Sequence, residues 1–282
     1  MDPRPGAVVL DGTVGLGGHA EALAPRVLPG GRYIGLDLDE TMLAVARERL
    51  RSWGDAVHLA RANYAEFPQV LAQLGVTQVD LMLLDLGVNS AQLDDPARGF
   101  SFDRDGPIDM RYDPSRGKPA SELVNALSEN ELSDLFYEFG QEELSRKIAK
   151  RICQVRHHGR ILTTAVLARA VESAVSASGR APRGRVHPAT RVFQALRIAV
   201  NHELENLRRF LRQSIAALRV GGTLSVISFQ SLEDGIVKQF FREARVERSF
   251  EELTKRPVVA DESEREENPR SRSAKLRVAR RV

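Results

Sequence analysis

Short apolar runs alternate with helix-like stretches along the first 85 residues of the chain. Four of these runs have the length of a buried strand, and they lie at residues 7–10, 33–36, 56–59 and 79–84. Between them, apolar side chains recur at the three- and four-residue spacing of a helix face over residues 20–27, 41–51 and 66–74. Such alternation is typical of strand–helix units that build a parallel sheet. The pattern therefore predicts an α/β domain.

The alternation stops after residue 85, and the middle of the chain has a different pattern. From about residue 106 to residue 188 no strand-like run occurs, and the apolar spacing is helical over residues 122–127, 131–139, 144–156 and 164–176. Apolar residues then continue at helical spacing from Phe193 to Leu218, which predicts one long helix that two glycines end. We interpret the middle of the chain as an inserted helical domain.

Strand-like patterns return near the C-terminus and complete the predicted sheet. Residues 223–229 form an apolar run, residues 245–269 are highly charged and predict a loop, and residues 275–280 alternate as an edge strand does. The predicted sheet domain therefore consists of two parts of the chain, residues 1–105 and 189–282. Residues 106–188 form the predicted insertion between them.

Composition indicates the class of protein and its cellular compartment. With 282 residues, of which 42% are hydrophobic and 28% charged, the chain is long enough for a sizeable core and falls among globular proteins. Its one cysteine, Cys153, has no partner within the chain, which favours a reducing environment. The first residues lack the pattern of a secretory signal, and no run of about 18 uncharged apolar residues occurs. We expect a cytoplasmic protein that does not contact a membrane.

Positive charge is concentrated in and beside the predicted insertion. Residues 141–200 hold 12 Lys or Arg and 3 Asp or Glu, whereas residues 1–140 hold 12 and 22. Lys and Arg that contact phosphates release bound counterions, so a basic block is typical of a surface that binds a polyanion. Solvated helices explain the same charge equally well, so charge alone leaves nucleic-acid binding open.

Residue types that bind nucleoside cofactors follow the predicted strands. The first strand runs into a glycine-rich turn, DGTVGLGGH at 11–19, where the backbone turns tightly and approaches a ligand closely. Asp37 ends the second strand, where a carboxylate accepts hydrogen bonds from ribose hydroxyls. Tyr64 follows the third strand, where its ring either stacks on an adenine or simply packs. Asp85 ends the fourth strand, beside the predicted pocket.

The glycine turn does not identify the cofactor. Residues 15–20 also match the loose G-x-G-x-x-G/A pattern of dinucleotide-binding proteins. An NAD(P)-dependent oxidoreductase therefore stays an alternative at this point.

Longer strings around and beyond the fourth strand are more specific. Near that strand they are DLGV (85–88), QLD (92–94), RGFSF (98–102), DGP (105–107) and DMR (109–111). Later they are HPATR (187–191), FQALRI (193–198), SLED (231–234) and NPRSRSAKLR (268–277). In this order they resemble the ribosomal RNA small subunit methyltransferase H family, which methylates cytosine N4 in bacterial 16S rRNA. The resemblance extends from about residue 4 to the C-terminus. Asn89, Gln230 and Gly235 depart from the residues usual in that family.

The resemblance implies a fold, a cofactor and a pocket. The fold is α/β, the Rossmann-like class I fold of S-adenosylmethionine-dependent methyltransferases, with an inserted all-helical domain for RNA recognition. No metal is needed, because the methyl donor already carries a good leaving group. By matching motifs, the donor pocket consists of Gly17, Gly18, His19, Asp37, Tyr64, Asp85 and Gln92. The assignments of His19 and Gln92 rest on the resemblance alone.

A cytosine amine is a poor nucleophile, because its lone pair is drawn into the ring. A hydrogen-bond acceptor on the amine localises that lone pair and receives the proton. We expect Asp85 to be this acceptor, with Asp109 as a second candidate and Asn89 at the base edge. Phe100 or Phe102 is expected to stack on a flipped base.

The remaining expectations concern RNA and partners. The predicted phosphate contacts are Lys147, Lys150, Arg151, Arg156, Arg160, Arg191 and Arg197. The predicted partner is 16S rRNA, either naked or within the 30S subunit, and a homodimer is left open. A non-catalytic RNA-binding or ribosome-assembly factor with the same fold is the third hypothesis, beside the methyltransferase and the oxidoreductase.

Overall fold

The computed structural model describes residues 2–179 and 187–282, and the chain divides into two compact units. The sheet unit comprises Met1–Gly87 and Leu204–Val282, and the helical unit comprises Val88–Glu203. The helical unit is longer at both ends than the insertion predicted at residues 106–188. It is longer because Phe100 on one side and Phe193 on the other are buried in the same hydrophobic cluster as the helices between them.

The first part of the sheet unit alternates strands and helices, as predicted. Its elements are β1 (Val8–Asp11), α1 (Gly18–Val27), β2 (Arg32–Asp37), α2 (Glu40–Arg49), β3 (Val57–Arg61), α3 (Phe67–Gln73) and β4 (Val79–Asp85). β1 pairs in parallel with β2 on one side and β4 on the other, and β2 pairs in parallel with β3. The four predicted strands and three predicted helices are confirmed.

The helical unit is built from helices, and the sequence predicted all of them except the first. They are α4 (Ser90–Asp94), α5 (Ala120–Ala126), α6 (Glu129–Gly140), α7 (Ser145–His157), α8 (Thr164–Ser176) and α9 (Ala189–Asn201). Ser128 begins α6 with a capping box, in which its hydroxyl accepts from the Glu131 N–H and the Glu131 carboxylate accepts from the Ser128 N–H. The buried faces of these helices share one core that includes Phe136, Leu167 and Leu196.

The last part of the sheet unit adds the elements that complete the sheet. They are α10 (Glu203–Ala217), β5 (Leu218–Ser228), α11 (Ser231–Val246), β6 (Phe250–Glu252), β7 (Val258–Val259), α12 (Glu262–Glu267) and β8 (Lys275–Arg281). Within the described residues, eight strands form one sheet in the order β3-β2-β1-β4-β5-β8-β6, with β7 paired to β8. β5 is parallel to β4, and β8 is antiparallel to β5.

Three predictions for the C-terminal part are wrong. The apolar stripe from residue 193 to 218 is not one helix, because His202 adopts a left-handed conformation with φ 51° and ends α9. β8 is not an edge strand, since β5 and β6 flank it. Residues 245–269 are not a simple loop, because Phe250 is buried and β6 and β7 both pair with β8.

The sheet is buried on both faces, as a parallel sheet flanked by helices requires. Val9 and Tyr33 pack in one hydrophobic cluster, whereas the residues that follow them, Leu10 and Ile34, pack in another. Successive side chains of a strand point to opposite faces, so the two clusters lie on the two sides of the sheet. Over the described ranges, no helix combines the length and the apolar character that a bilayer span requires.

Candidate active site

Three carboxylates stand at the carboxyl edge of the sheet, because each is the last residue of a strand. Asp11 ends β1, Asp37 ends β2 and Asp85 ends β4. These strands are parallel neighbours, so their ends meet at one edge, which is where open α/β sheets bind ligands. The predicted convergence of the first, second and fourth strand ends is therefore present in the sheet unit.

The glycine turn between β1 and α1 leaves space beside these carboxylates. A Cβ at Gly12 would lie 2.5 Å from Leu84 Cδ2 and 2.9 Å from Tyr64 Cβ, so a side chain there would push both neighbours away. Gly17 has φ +86° and precedes the first turn of α1, whereas a Cβ at Gly18 would meet nothing within 4 Å. The first backbone N–H groups of α1 have no carbonyl partner within the helix and suit an anionic group such as a carboxylate.

Asp37 is held by backbone donors. Its Oδ2 accepts from the Gly15 N–H at 2.9 Å and its Oδ1 accepts from the Asp39 N–H at 2.9 Å. Each carboxylate oxygen has two acceptor positions, so the group retains capacity for two hydroxyl donors. Desolvation raises the pKa of Asp37 to about 6, against the opposing effect of the two backbone hydrogen bonds.

Asp85 and His19 form a pair across the glycine turn. His19 Nε2 lies 3.1 Å from Asp85 Oδ2. The second oxygen, Oδ1, is buried and has no hydrogen-bond partner among the described residues. The hydrogen bond to Asp85 raises the pKa of His19, while burial acts in the opposite direction. A buried carboxylate oxygen without a donor is costly, which makes Oδ1 the atom of this site most in need of a ligand donor.

A buried network beneath this pair was not predicted from the sequence. Tyr33 donates its hydroxyl to Asp11 Oδ2 at 2.5 Å, and the Thr13 N–H donates to Asp11 Oδ1 at 2.9 Å. Thr13 Oγ1 accepts from the Asp85 N–H at 2.7 Å. Burial raises the pKa of Asp11, and it also raises the pKa of Tyr33 well above its ordinary value. Tyr33 gave no sequence signal beyond an apolar run, because its role depends on the register between β1 and β2.

Tyr64 lies above the end of β1, where Gly12 allows it to approach. It begins a short 3₁₀ turn that Asn63 caps, since Asn63 Oδ1 accepts from the Ala65 N–H at 2.8 Å. Its ring packs edge to face on Phe210 with centroids 5.8 Å apart. The partly buried ring is therefore positioned by packing, and its stacking on an adenine stays a prediction.

The predicted site residues of the helical unit serve local structure. Asn89 caps α4 through Oδ1, which accepts from the Ala91 N–H, and Gln92 accepts from the Asn89 N–H at 3.0 Å. Asp109 forms a two-point ion pair with Arg111, at 2.6 and 2.9 Å. Their predicted roles at the donor or the base stay predictions.

The two predicted stacking residues also belong to the helical unit. Phe100 is 7% exposed and stacks on Tyr112 with centroids 5.5 Å apart. Phe102 is less buried, and its ring lies 4.5 Å from His187 and 4.9 Å from Phe193. Of the two, Phe102 has more free surface for a base, and its role stays a prediction.

The predicted phosphate contacts fall into two groups. Lys147 and Lys150 are exposed on α7 and have no ion-pair partner within the part of the chain that the structure describes. Arg146, which the sequence analysis did not select, is exposed beside them although its spacing of four from Lys150 could have indicated it. Arg151 is half-buried, and its Nε has no hydrogen-bond partner in the described chain.

The other four predicted cations have protein partners. Arg156 donates to the Val124 carbonyl at 2.8 Å, and Arg160 to Glu122 at 2.5 Å. Arg191 lies 3.7 Å from Glu142 and remains half exposed, whereas Arg197 is mostly buried against Glu203. These contacts reduce the charge that the four side chains offer to a polyanion, and their RNA contacts stay predictions.

The carboxyl edge suits a cationic ligand with hydroxyl groups better than a pyrophosphate. The charge of Asp85 contributes to the raised pKa of Asp11, and that of Asp11 to the raised pKa of Asp37, so the three groups are close enough to interact. Their combined charge repels a doubly charged pyrophosphate at the strand ends. The Gly15 N–H of the glycine turn already donates to Asp37, so it is not available to a phosphate. These features disfavour the dinucleotide alternative.

Comparison with known proteins finds one family over the whole chain. The model of the MraW methylase family matches residues 1–282. Three curated relatives bear the name ribosomal RNA small subunit methyltransferase H. The protein of Sorangium cellulosum is 51% identical over all of this chain and 87% of its own length. Those of Syntrophotalea carbinolica and Trichlorobacter lovleyi are 48% and 46% identical over all of this chain and 94% of theirs.

The buried hydroxyl of Tyr33 provides a test of the network. Replacing Tyr33 with Phe keeps the packing but leaves Asp11 Oδ2 without its donor, so we expect the free energy of unfolding to fall by about 1–3 kcal/mol. The hydroxyl stabilises the ionised carboxylate, so the loss is greatest above the raised pKa of Asp11 and shrinks as the pH falls below it. Urea denaturation at several pH values measures this. A loss of unfolding free energy that does not vary with pH would contradict a hydrogen bond from Tyr33 to an ionised Asp11.

Proposed function

The chain belongs to the MraW methylase family, and from this premise we propose that it methylates the exocyclic N4 amine of a cytosine in the decoding region of 16S rRNA, with S-adenosylmethionine as the donor. It is a methyltransferase of the class I, Rossmann-like α/β type. The proposal rests on the carboxyl edge of the sheet, where Asp85 presents a buried carboxylate oxygen without a donor. The names of the relatives support the choice of ribosomal RNA.

The residues at this edge fit S-adenosylmethionine. The open surface at Gly18 and the free N–H groups of α1 fit the methionine carboxylate. The remaining acceptor positions of Asp37 fit two ribose hydroxyls, and Tyr64 fits the adenine ring. The acidic surroundings of Asp11 and Asp85 complement a positive sulfur. Bound there, the cofactor supplies a methyl group whose bond to sulfur breaks with the electron pair remaining on sulfur.

The chain's own chemical task is to receive a proton. The amine nitrogen exchanges one N–H bond for one N–C bond, and we assign the released proton to Asp85 Oδ1. This oxygen is buried and unpartnered, so an N–H donor from the substrate would satisfy it. Accepting from the amine also localises its lone pair and makes the nitrogen a better nucleophile. Asp109 is the weaker candidate, because Arg111 already occupies both of its oxygens.

We assign RNA binding to the exposed basic face of α7. Arg146, Lys147 and Lys150 lie on this face without acidic partners in the described chain, which leaves their charge available to phosphates. The proposed substrate is 16S rRNA within the 30S subunit, and the proposed location is the cytoplasm, where that RNA is found. The intact set of acceptors at the sheet edge argues against the non-catalytic assembly factor. A homodimer stays a prediction.

Nucleoside analysis tests the proposed reaction and its acceptor. Incubation with S-adenosylmethionine and 30S particles from a strain that lacks the endogenous enzyme should yield N4-methylcytidine in 16S rRNA, detected by mass spectrometry. At saturating donor, Asp85→Asn should lower the single-turnover rate about 10²- to 10⁴-fold, the usual contribution of a proton acceptor. Asp109→Asn, which breaks only the pair with Arg111, serves as the matched control. Full turnover in Asp85→Asn with none in Asp109→Asn would identify the other carboxylate as the acceptor.

The raised pKa of Asp37 predicts a pH dependence of donor binding. Only the ionised carboxylate accepts two hydroxyl donors, and with a pKa of about 6 it becomes protonated as the pH falls below that value. Calorimetry should therefore show S-adenosylhomocysteine binding about tenfold more weakly at about pH 5 than at about pH 8. Asp37→Asn should bind weakly at both pH values. If the ratio of the affinities at the two pH values is the same in Asp37→Asn and in the wild type, the proposed role of Asp37 is refuted.

The basic face of α7 predicts a salt dependence of RNA binding. The double variant Lys147→Glu, Lys150→Glu should bind a 16S rRNA transcript more weakly and reduce the slope of log affinity against log salt by about one per lost contact. Its affinity for S-adenosylhomocysteine should not change. Arg242→Glu, an exposed residue of α11, is the matched charge reversal and should leave the slope unchanged. Equal slopes for the double variant and the wild type would exclude this face.

A further inference from the structure

We propose that His19 is a positioning residue that acts through Asp85: its Nε2–H holds Asp85 Oδ2 so that Oδ1 faces the substrate amine, and a second proton on the ring weakens Asp85 as an acceptor. The inference rests on the proposed function and deepens it. Family resemblance places His19 only at the cofactor. The contacts of the ring give it a separate task in the transfer step.

Asp85 has hydrogen bonds at its backbone N–H and at one carboxylate oxygen, and its other carboxylate oxygen has none. Its backbone N–H donates to Thr13 Oγ1 at 2.7 Å, and its Oδ2 lies 3.1 Å from His19 Nε2. Oδ1 is buried and has no partner in the described part of the chain. A carboxylate can rotate about its last bond and exchange its two oxygens. Exchange of the two equivalent oxygens restores the same arrangement, but any smaller rotation breaks the hydrogen bond to His19. The ring therefore holds the plane of the carboxylate and the position of the oxygen that has no partner.

The direction of this hydrogen bond determines which ring nitrogen titrates. An ionised carboxylate only accepts, so Nε2 must carry a hydrogen in the neutral ring, and Nδ1 is the nitrogen that takes up the second proton. The His19 side chain is 44% exposed, so it can exchange that proton with water. An imidazolium next to Asp85 stabilises the negative charge of the carboxylate and thereby lowers its power to accept a proton from the amine.

The charged groups that act on the ring come from two strands. Asp85 at the end of β4 and Asp11 at the end of β1 both favour the protonated ring, while burial disfavours it. Asp11 itself is held by Tyr33 and Thr13 on the buried side of the site. The two carboxylates outweigh burial, so the pKa of His19 lies above its ordinary value. The transfer rate should therefore fall as the pH decreases through this pKa.

The test is a pH profile of the single-turnover methylation rate on 30S particles between about pH 5.5 and 8.5. S-adenosylmethionine is kept saturating at each pH, so that weaker donor binding caused by protonation of Asp37 does not affect the measured rate. The wild-type rate should fall about tenfold per pH unit below the pKa of His19. His19→Gln places an amide N–H where Nε2 was and cannot titrate. Its rate at high pH should lie between those of the wild type and of His19→Ala, and it should show no acidic decline.

Two further variants separate positioning from general structure. His19→Ala removes the donor, so its rate should be low at every pH. His58→Gln replaces an exposed histidine of β3, outside the site, and should reproduce the wild-type profile. An acidic decline that persists unchanged in His19→Gln would overturn the proposal.

A measurement without turnover distinguishes failure of this inference from failure of the proposed function. In NMR titration of the histidine rings, His19 should titrate above its ordinary pKa of about 6.5 in the wild type and lower in Asp85→Asn. Identical titration in the two proteins would overturn the inference even if the wild type is active. A wild-type protein that shows the coupled titration but methylates no 30S particle would instead contradict the proposed function.

Discussion

Asp11 is the constraint on which the carboxyl edge of the sheet depends. Its carboxylate is fully buried, and a buried charge is tolerated only when donors surround it. Tyr33 of β2 supplies one donor and the backbone of Thr13 supplies another, while the Thr13 hydroxyl accepts from the backbone of Asp85 at the end of β4. One buried group therefore connects the ends of β1 and β4 to Tyr33, which lies near the beginning of β2. Asp85 is held by Thr13 and His19, and Asp37 by the backbone of Gly15 and Asp39, so both carboxylates have protein partners without a ligand.

The charges at this edge explain the choice of ligand better than the glycine turn does. Glycine turns of similar sequence serve many nucleoside cofactors, since they provide only space and backbone N–H groups. Here the turn donates one of those groups to Asp37, and three interacting carboxylates stand around it. A positive sulfur and two ribose hydroxyls match these acceptors, whereas a pyrophosphate would meet repulsion. Under the proposed function, the charge of the ligand therefore distinguishes S-adenosylmethionine from a dinucleotide.

The sequence predicted the parts of the fold that depend on local pattern. Asp37 and Asp85 could be selected because each follows an apolar run of strand length. In a parallel sheet the carboxyl ends of the strands are where ligands bind. The pairing of Tyr33 with Asp11 could not be predicted, since it depends on register between strands. The apolar stripe continues through His202 without a gap, so only the backbone reveals that two helices share it. The ion pairs of Arg160 and Arg191 could not be predicted either, because their acidic partners, Glu122 and Glu142, lie far away in the sequence.

The most direct test of the account is a crystal structure of the protein with S-adenosylhomocysteine. The account predicts the ligand at the carboxyl edge of the sheet, with its ribose hydroxyls on the Asp37 carboxylate, its adenine by Tyr64, and its sulfur on the side of Asp85 and His19. A crystal in which this edge stays empty at saturating ligand, or in which NAD binds there in preference, would contradict it.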